Sequence, residues 1–321
     1  MEAPPVAVEQ KPRATREAYG EALLELGKRH DEVVALDADL ASSTKSARFG
    51  AAFPERFFNM GVAEANMMGA AAGLAIAGKT PYASTFAVFA TGRAFDQVRQ
   101  SIAQPNLRVR ICASHGGITV GEDGCTHQSI EDIGLMRLLP NMKVVVPADF
   151  SQTYTAVMES YDHPGPVYIR TGRPATRFIY PEAPATLGGG CDVLKEGTDI
   201  SIFACGIMVG EALAAADLLS QRNISAEVVN VSILKPIDAD AVTASLKKTG
   251  CAVTAEEHSI IGGLGDAVQE VAAENCPAII GRVGIKDVFG KSGKPEQLLE
   301  EFQLTSGHLA ELAGRVHSGR K

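Results

Sequence analysis

The sequence predicts an α/β protein built from two doubly wound domains, each with a mostly parallel sheet. Short apolar runs of strand-forming residues alternate with stretches of helical period along nearly the whole chain. The strand runs are continuously apolar, which is typical of parallel strands covered by helices on both faces. A segment rich in proline and glycine, residues 181–190, interrupts this alternation and marks the domain boundary.

The first predicted domain covers residues 13–185 and follows a flexible lead-in over residues 1–12. It opens with a helix over 15–28, for which Thr15 is the expected N-cap. The remaining elements are predicted in this order: strand 33–36, strand 57–60, helix 62–77, strand 80–84, helix 91–103, strand 109–113, helix 128–138, strand 144–147, helix 150–160 and strand 167–170.

The second predicted domain covers residues 190–317, where the same alternation restarts. Its elements are predicted as strand 200–204, helix 209–221, strand 226–231, helix 238–248, strand 252–255, helix 265–275, strand 279–283 and a helical region over 295–316. With 321 residues the chain has the length expected for about two domains.

Composition excludes several classes of function. A net charge of −8 argues against nucleic acid as the main ligand, because phosphate binding needs a basic face. No apolar run approaches the ~20 residues that cross a bilayer, and Glu2, Pro4 and Pro5 stand where a signal peptide needs a basic, then apolar, start. Six scattered cysteines without a C-x-x-C pair fit a reduced, cytoplasmic protein.

The polar residues that follow each predicted strand are the place to look for chemistry, since ligands of doubly wound sheets gather beyond the carboxyl ends of the strands. This rule selects residues 37–44, 64, 85–89, 115–127 and 170–173.

Two features at these strand ends each allow two readings. Glu64 opens a helix of Ala, Gly and Met, either as an acid favoured by the helix dipole or as a catalytic acid, because a buried carboxylate is unfavourable without a partner. Phe86 and Phe89 stand three residues apart, as core residues or as a flat wall for a heteroaromatic ring.

The glycine-punctuated loop 115–128 carries His115, Glu122, Asp123 and His127. The spacing of the two histidines resembles no compact metal motif, so we predict no metal site and favour polyol recognition and proton transfer. Arg16 and Arg170 form surface salt bridges or, for Arg170 at a strand end, hold a phosphate.

Together these elements resemble the pyrimidine-binding and C-terminal domains of the transketolase family, from about residue 13 to residue 316. The order and spacing of four motifs carry the resemblance: Ser84-Thr-Phe86, Gly121-Glu-Asp-Gly-Cys-Thr-His-Gln128, Pro140-Asn-Met-Lys-Val-Val-Val-Pro147 and Asp287-Val-Phe-Gly-Lys-Ser-Gly293.

The resemblance implies thiamine diphosphate as the cofactor. Glu64 then hydrogen-bonds N1′ of the aminopyrimidine ring and serves its proton relay, while Phe86 and Phe89 stack around that ring. Asp39 lies near the thiazolium or the dimer partner. Gly92 replaces a third pocket aromatic of the family.

The same resemblance assigns the substrate contacts. Asp123 and His127 bind the sugar near the reacting carbon, with His127 able to pass protons. Four further residues hold the sugar phosphate: Arg16, Ser43, His115 and Arg170. His115 is also implied to be a catalytic group. The role of the segment Glu256-Glu257-His258 stays open.

The family's signature for the metal and diphosphate, Gly-Asp-Gly followed about 25–30 residues later by Asn, does not occur in this sequence. The resemblance therefore implies an N-terminal transketolase subunit as partner, holding Mg²⁺ or Ca²⁺, in an α2β2 assembly. We expect an apolar patch around Phe86 and Phe89 on the free subunit.

The implied activity is transfer of a two-carbon ketol unit between sugar phosphates. Three alternatives stay open: a subunit like 1-deoxyxylulose-5-phosphate synthase, one like the beta subunit of 2-oxoacid dehydrogenases, and a non-catalytic regulatory subunit of the same fold.

Overall fold

A computed structural model describes residues 11–182 and 187–319. Most of the predicted lead-in, the centre of the predicted boundary segment and the predicted end of the first domain at residue 185 lie outside these residues.

The fourteen strands of the described residues are β1 (Arg13–Ala14), β2 (Val33–Asp37), β3 (Phe57–Asn59), β4 (Thr80–Phe86), β5 (Arg110–Ser114), β6 (Lys143–Val145), β7 (Val167–Arg170), β8 (Ala175–Thr176), β9 (Cys191–Lys195), β10 (Ile200–Ala204), β11 (Ala226–Val231), β12 (Ile233–Lys235), β13 (Cys251–Ser259) and β14 (Ile279–Ile285).

The α-helices of the same residues are α1 (Thr15–Arg29), α2 (Ala41–Thr44), α3 (Ala47–Ala52), α4 (Glu64–Ile76), α5 (Phe95–Gln97), α6 (Asp132–Leu138), α7 (Phe150–Ser160), α8 (Met208–Ser220), α9 (Ala239–Thr249), α10 (Leu264–Asn275), α11 (Pro295–Glu301) and α12 (Ser306–Gly319). Two π-helical turns, Phe89–Arg93 and Val98–Ala103, flank α5, and two 3₁₀ turns cover Pro54–Arg56 and Ile118–Val120.

Two large sheets confirm the predicted α/β class. The first has seven strands in the order β12-β6-β7-β5-β4-β2-β3, and the second has five in the order β14-β13-β10-β11-β9. All neighbours in both sheets are parallel except the edge strands β12 and β9, which are antiparallel. The sequence pattern missed both edge strands. Although β12 lies beyond the predicted boundary, it completes the edge of the first sheet.

Helices cover both faces of the first sheet, which explains why its strands are continuously apolar. Along β2, Val33 and Ala35 face a cluster with α1, α3 and α7, whereas Val34 and Leu36 face a cluster with α4 and α6. Because successive strand residues point to opposite faces, a sheet buried on both sides needs apolar residues at every position.

Four predicted helical segments differ from the structure. Thr15 is the first residue of α1 rather than its N-cap, and its hydroxyl accepts a hydrogen bond from the Gly172 amide at 2.7 Å. The predicted helix over 91–103 is broken into two π-helical turns around α5, and the predicted helix over 128–138 begins only at Asp132. The region over 295–316 forms two helices, α11 and α12.

Within the residues that the structure describes, none of the six cysteines forms a disulfide. Within residues 11–182 and 187–319, no helix combines the length and apolar character needed to span a membrane.

Candidate active site

The candidate residues that follow strands of the first sheet gather beyond the carboxyl ends of β2, β4 and β5. From β2 the chain passes to β3 on one side and then to β4 on the other. Such a reversal of direction opens a crevice at the strand ends, where ligands of doubly wound sheets bind.

Glu64 occupies the buried first position of α4. Its side chain is only 1% exposed, and both carboxylate oxygens accept a hydrogen bond from the same nitrogen, Nη1 of Arg93, at 2.9 Å each. A carboxylate at a helix N-terminus is favoured by the helix dipole. The ion pair supplies the counter-charge that a buried carboxylate also requires.

Arg93 is a site residue that sequence reasoning missed. It ends the π-helical turn Phe89–Arg93, which is closed by a hydrogen bond from the Ala94 amide to the Phe89 carbonyl at 3.3 Å. Its guanidinium carbon lies 4.5 Å from the centroid of the Phe89 ring, within cation–π range. The only sequence signal was an arginine directly after Gly92.

Aromatic contacts connect this carboxylate site to the loop behind β5. Phe86 stacks on His115 with ring centroids 3.8 Å apart and lies parallel to Phe89 at 6.0 Å. His127 meets both phenylalanines edge-on, at 6.2 Å from Phe86 and 5.4 Å from Phe89. The expected exposed patch around Phe86 and Phe89 is wrong, because Phe86 is covered and only 6% exposed.

His115 is a neutral imidazole beside two arginines. Burial and the positive charges of Arg16 and Arg173 lower the pKa of His115 from 6.5 to about 3. Arg16 Nη1 lies 3.4 Å from Nε2, and Ser114 Oγ lies 2.8 Å from Nδ1. Since the arginine can only donate, Nε2 accepts and the proton sits on Nδ1.

Arg16 has unused hydrogen-bonding capacity inside this cluster. Its Nη1 donates to the Ser43 carbonyl at 3.0 Å, while its buried Nε has no partner among the described residues. Burial, followed by the charge of Arg173, lowers the pKa of Arg16. A half-buried cation with an unused donor beside a second arginine is an environment that favours an anion.

The loop behind β2 is held by Asp37 rather than by Asp39. Asp37 is buried and accepts hydrogen bonds from the Leu40 amide at 2.6 Å and from the hydroxyls of Thr44 and Ser46 at 2.7 and 2.8 Å. Burial raises the pKa of Asp37. These bonds fix the loop that carries Ser43. Asp39 is exposed, with φ of 64°, and accepts from the Asn59 amide group at 3.0 Å.

Asp123 and His127 lie on the loop 115–128 above the aromatic pair. Asp123 Oδ2 is 3.4 Å from Arg173 Nη1, and Thr126 Oγ1 is 2.9 Å from His127 Nδ1. The second sheet's domain anchors this loop from below. Gln128 donates to the Lys291 carbonyl at 2.9 Å, and Glu257 accepts from the Thr119 amide at 2.6 Å.

Arg170 faces inward, away from this open cluster. Its Nε donates to Asp132 at 2.8 Å, and its Nη2 donates to the carbonyls of Ser129 and Glu257 at 3.2 and 3.0 Å. Burial opposes ionisation of Asp132 and is the largest single effect. The charge of Arg170, together with further contacts that include the hydrogen bonds from Arg170 and Tyr168, outweighs it, so the pKa of Asp132 is lowered. These contacts tie the two domains together, and the phosphate role of Arg170 stays a prediction.

The segment 256–258 makes structural contacts. Glu256 accepts from the amides of Leu264 and Gly265 at 2.7 and 2.8 Å, at the start of α10. His258 Nε2 accepts from the Gly134 amide at 3.3 Å, across the domain junction. Burial raises the pKa of both Glu256 and Glu257. We see no substrate-facing group in this segment.

The site thus joins a buried carboxylate, a pair of aromatic rings and a cationic cluster through direct contacts at one edge of the first sheet. Among the described residues no three His, Cys, Asp or Glu side chains are grouped to hold a metal ion.

Family models match both halves of the chain. Residues 11–178 match "Transketolase, pyrimidine binding domain" and residues 189–309 match "Transketolase, C-terminal domain".

Several relatives match this chain over almost their whole length. A "Putative transketolase C-terminal section" of Methanocaldococcus jannaschii is 48% identical and covers 93% of this chain and 94% of its own length. A "6-deoxy-6-sulfo-D-fructose transketolase subunit" of Clostridium sp. is 45% identical, with 97% of each chain covered. A solved structure described as "Split gene transketolase, inactive beta4 tetramer" superposes with a TM-score of 0.89 at 51% identity, covering 95% of this chain and 98% of that one.

Proposed function

The chain belongs to the transketolase family, and from this premise we propose that it is one half of a thiamine-diphosphate-dependent ketol transferase. In this proposal it transfers a two-carbon ketol unit between sugar phosphates together with an N-terminal partner subunit.

One observation carries the proposal: an unbroken path of contacts from Glu64 to the cationic cluster. The path runs from Glu64 through Arg93 to Phe89, then through His127 to Phe86, and from Phe86 through His115 to Arg16. A cofactor bound at Glu64 can react with a sugar held by the cationic cluster only if the two sites are neighbours, and these contacts make them neighbours.

The residues at the Glu64 end fit an aminopyrimidine. The Arg93 guanidinium, a planar N–H donor, already stacks on Phe89 while it donates to Glu64. A heteroaromatic ring with an N–H donor at its edge needs the same two partners, a flat ring face and a carboxylate. The contacts of the guanidinium therefore support the proposal that an aminopyrimidine binds at Glu64 and Phe89.

Five of the candidate site residues have a defined task in this proposal. The cofactor, when bound, supplies the nucleophilic carbon that breaks and makes the carbon–carbon bond. Glu64 holds a proton at the ring nitrogen, and Phe86 and Phe89 form the apolar wall that excludes water. His127 moves a proton at the sugar, and Asp123 binds a sugar hydroxyl.

The cationic cluster takes the terminal anion of the sugar. Arg16 offers its unused Nε, Arg173 adds a second positive charge, and neutral His115 becomes a donor when an anion offsets those charges. One relative is named for a sulfonated sugar. Sulfonate and phosphate are both tetrahedral anions, so the same cluster suits either, and we propose sugar phosphates here.

The proposed partner resembles the N-terminal part of transketolase and holds the diphosphate through Mg²⁺ or Ca²⁺. Support comes from the relatives, one named as a C-terminal section and one described as an inactive beta4 tetramer of a split gene product. We propose an α2β2 arrangement for the active assembly.

The test is reconstitution. The chain is purified together with the N-terminal-type chain of the same genome, and aldose release from a ketose phosphate is followed with thiamine diphosphate and Mg²⁺. We expect transfer by the wild type and a loss of at least about 100-fold in Glu64→Gln, with assembly unchanged. Glu301→Gln, which removes a surface carboxylate paired with Lys291, is the matched control and retains activity.

The outcomes separate the alternatives. An assembled, cofactor-loaded complex that transfers no ketol unit would overturn the proposal. Carbon dioxide release from pyruvate would instead identify the synthase or dehydrogenase type. Failure of the complex to bind thiamine diphosphate would identify a regulatory subunit.

A further inference from the structure

The partner of Glu64 is unusual for a buried carboxylate. Arg93 reaches it from a half-exposed position, with 50% of its side chain accessible, whereas Glu64 is 1% exposed. A single nitrogen serves both carboxylate oxygens, so the contact is not the two-nitrogen fork that Arg and carboxylate form when their geometry is optimal. Glu64 therefore has its charge compensated by a long side chain that reaches in from the solvent side.

The backbone around Arg93 holds this side chain close to the Phe89 ring. The π-helical turn Phe89–Arg93 adds one residue to the turn relative to an α-helix, and such turns occur frequently at functional sites. Arg93 lies four residues after Phe89, the residue that begins the same turn, and its guanidinium carbon lies 4.5 Å from the centroid of the Phe89 ring. Gly92 leaves open space beside it, since an added Cβ there would touch nothing within 4 Å.

The guanidinium and an aminopyrimidine ring thus have the same two partners, Phe89 and Glu64. Two planar groups cannot stack on one face of Phe89 and bond the same carboxylate oxygens at once. We propose that Arg93 is an internal occupant of the cofactor's ring site: it neutralises Glu64 in the cofactor-free chain and leaves the carboxylate when the aminopyrimidine binds. This inference rests on the proposed function.

The physical consequence is a competition. In the free chain, Arg93 stabilises the fold, because a buried carboxylate without a counter-charge is strongly unfavourable. In the loaded complex the ring takes over that task, and Arg93 turns to solvent, which its half-exposed position allows. Removing Arg93 should therefore destabilise the free chain and strengthen cofactor binding.

The experiment uses Arg93→Met, which retains a flexible apolar stem without the charge, and Arg93→Gln as a second variant. The matched control is Arg99→Met, on the next turns of the same region, where Arg99 pairs with Asp96 at the surface. Unfolding of the full chain alone is followed by circular dichroism. Thiamine diphosphate affinity of the assembled complex with Mg²⁺ is measured by isothermal titration calorimetry.

We expect both Arg93 variants to unfold at lower temperature than the wild type as free chains. We expect their complexes to bind thiamine diphosphate more tightly, by about tenfold in Kd, as the competing ion pair is lost. Arg99→Met should change neither quantity. If Arg93→Met does not fold, Arg93→Gln decides.

Unchanged or weaker cofactor binding in a folded Arg93 variant would overturn the inference, since it would show that Arg93 stays in place or contributes to the pocket. That result would leave the proposed function standing. Failure of the wild-type complex to bind thiamine diphosphate would reject the proposed function itself, and this inference with it.

Discussion

Replacing Asp132 by Asn will destabilise the folded chain by about 3 kcal/mol at neutral pH. Asp132 is fully buried and its Oδ2 accepts from Arg170 Nε at 2.8 Å and from the Tyr168 hydroxyl at 2.6 Å. Removing one charge of a buried pair costs roughly 3–5 kcal/mol because the other charge is left uncompensated. Because Glu257 also faces Arg170 and compensates part of its charge, we expect a loss at the lower end of this range.

The pH dependence of this difference follows from the lowered pKa of Asp132. A carboxyl whose pKa is lower in the folded chain than its unfolded value of about 3.9 stabilises the fold above that value. The stabilisation disappears as pH falls through the folded pKa. The gap between wild type and Asp132→Asn should therefore be full at pH 7 and shrink below about pH 4.

The assay is urea unfolding of the full chain, followed by circular dichroism at pH 7 and again at lower pH. In a thermal scan, a loss of 3 kcal/mol would lower the Tm by about 6–12 °C for a domain of roughly 150–250 residues. The double variant Asp132→Leu with Arg170→Met should recover most of the stability, because apolar side chains remove both charges together. The exposed-pair variant Glu301→Gln should stay within about 0.5 kcal/mol of wild type.

A free energy of unfolding for Asp132→Asn within 1 kcal/mol of wild type would refute this reasoning. So would a difference that keeps its full size at pH 3, since below about pH 4 the Asp132 carboxyl binds a proton in the unfolded chain that it does not bind in the folded chain.

Two further predictions concern the loop 115–128. Gly117→Ala should destabilise the chain by about 2 kcal/mol or more, because Gly117 has φ of 84° and an added Cβ would overlap the Glu257 carboxylate. Thermal unfolding measures this loss. The control is Gly307→Ala, which has open space around it and should be neutral or slightly stabilising. His115, whose pKa falls from 6.5 to about 3 on folding, binds fewer protons in the folded than in the unfolded chain between these values. The wild type should thus lose stability as pH drops from 6.5 towards 3, by up to about 1.4 kcal/mol per pH unit. Urea unfolding across that range should show that His115→Gln lacks this loss. If the free energy of unfolding depends on pH equally in both proteins, the lowered pKa of His115 is contradicted.

The strands of the first sheet were predictable from the sequence because burial on both faces leaves a local pattern, a continuous apolar run. The edge strands β9 and β12 leave no such pattern. β12 has only three residues, Ile233–Lys235, and its antiparallel partner β6 lies almost ninety positions earlier in the chain. An edge pairing of this kind depends on which neighbour is available, and that is decided by the whole fold.

The site shows the same division. Glu64, Phe86, His115 and His127 could be selected because each follows a strand end, and strand ends of a parallel sheet converge. Arg93 could not, since it follows no predicted strand end and only the folded chain brings it to Glu64, 29 positions earlier in the sequence. In the loop behind β2 the sequence did not single out Asp37, which makes the buried hydrogen bonds, while the predicted role of Asp39 near the cofactor or dimer partner stays a prediction.

By itself, the sequence determined the fold class and the strand ends after which polar residues gather, since these follow from local composition and spacing. The resemblance to transketolase came separately, from four motifs in a fixed order. Only the tertiary structure decided the partner of each charged group: Arg93 for Glu64, Asp132 for Arg170, and a neutral state for His115 between two arginines. The physical reason is that burial and Coulombic energy depend on distances between residues far apart in the chain.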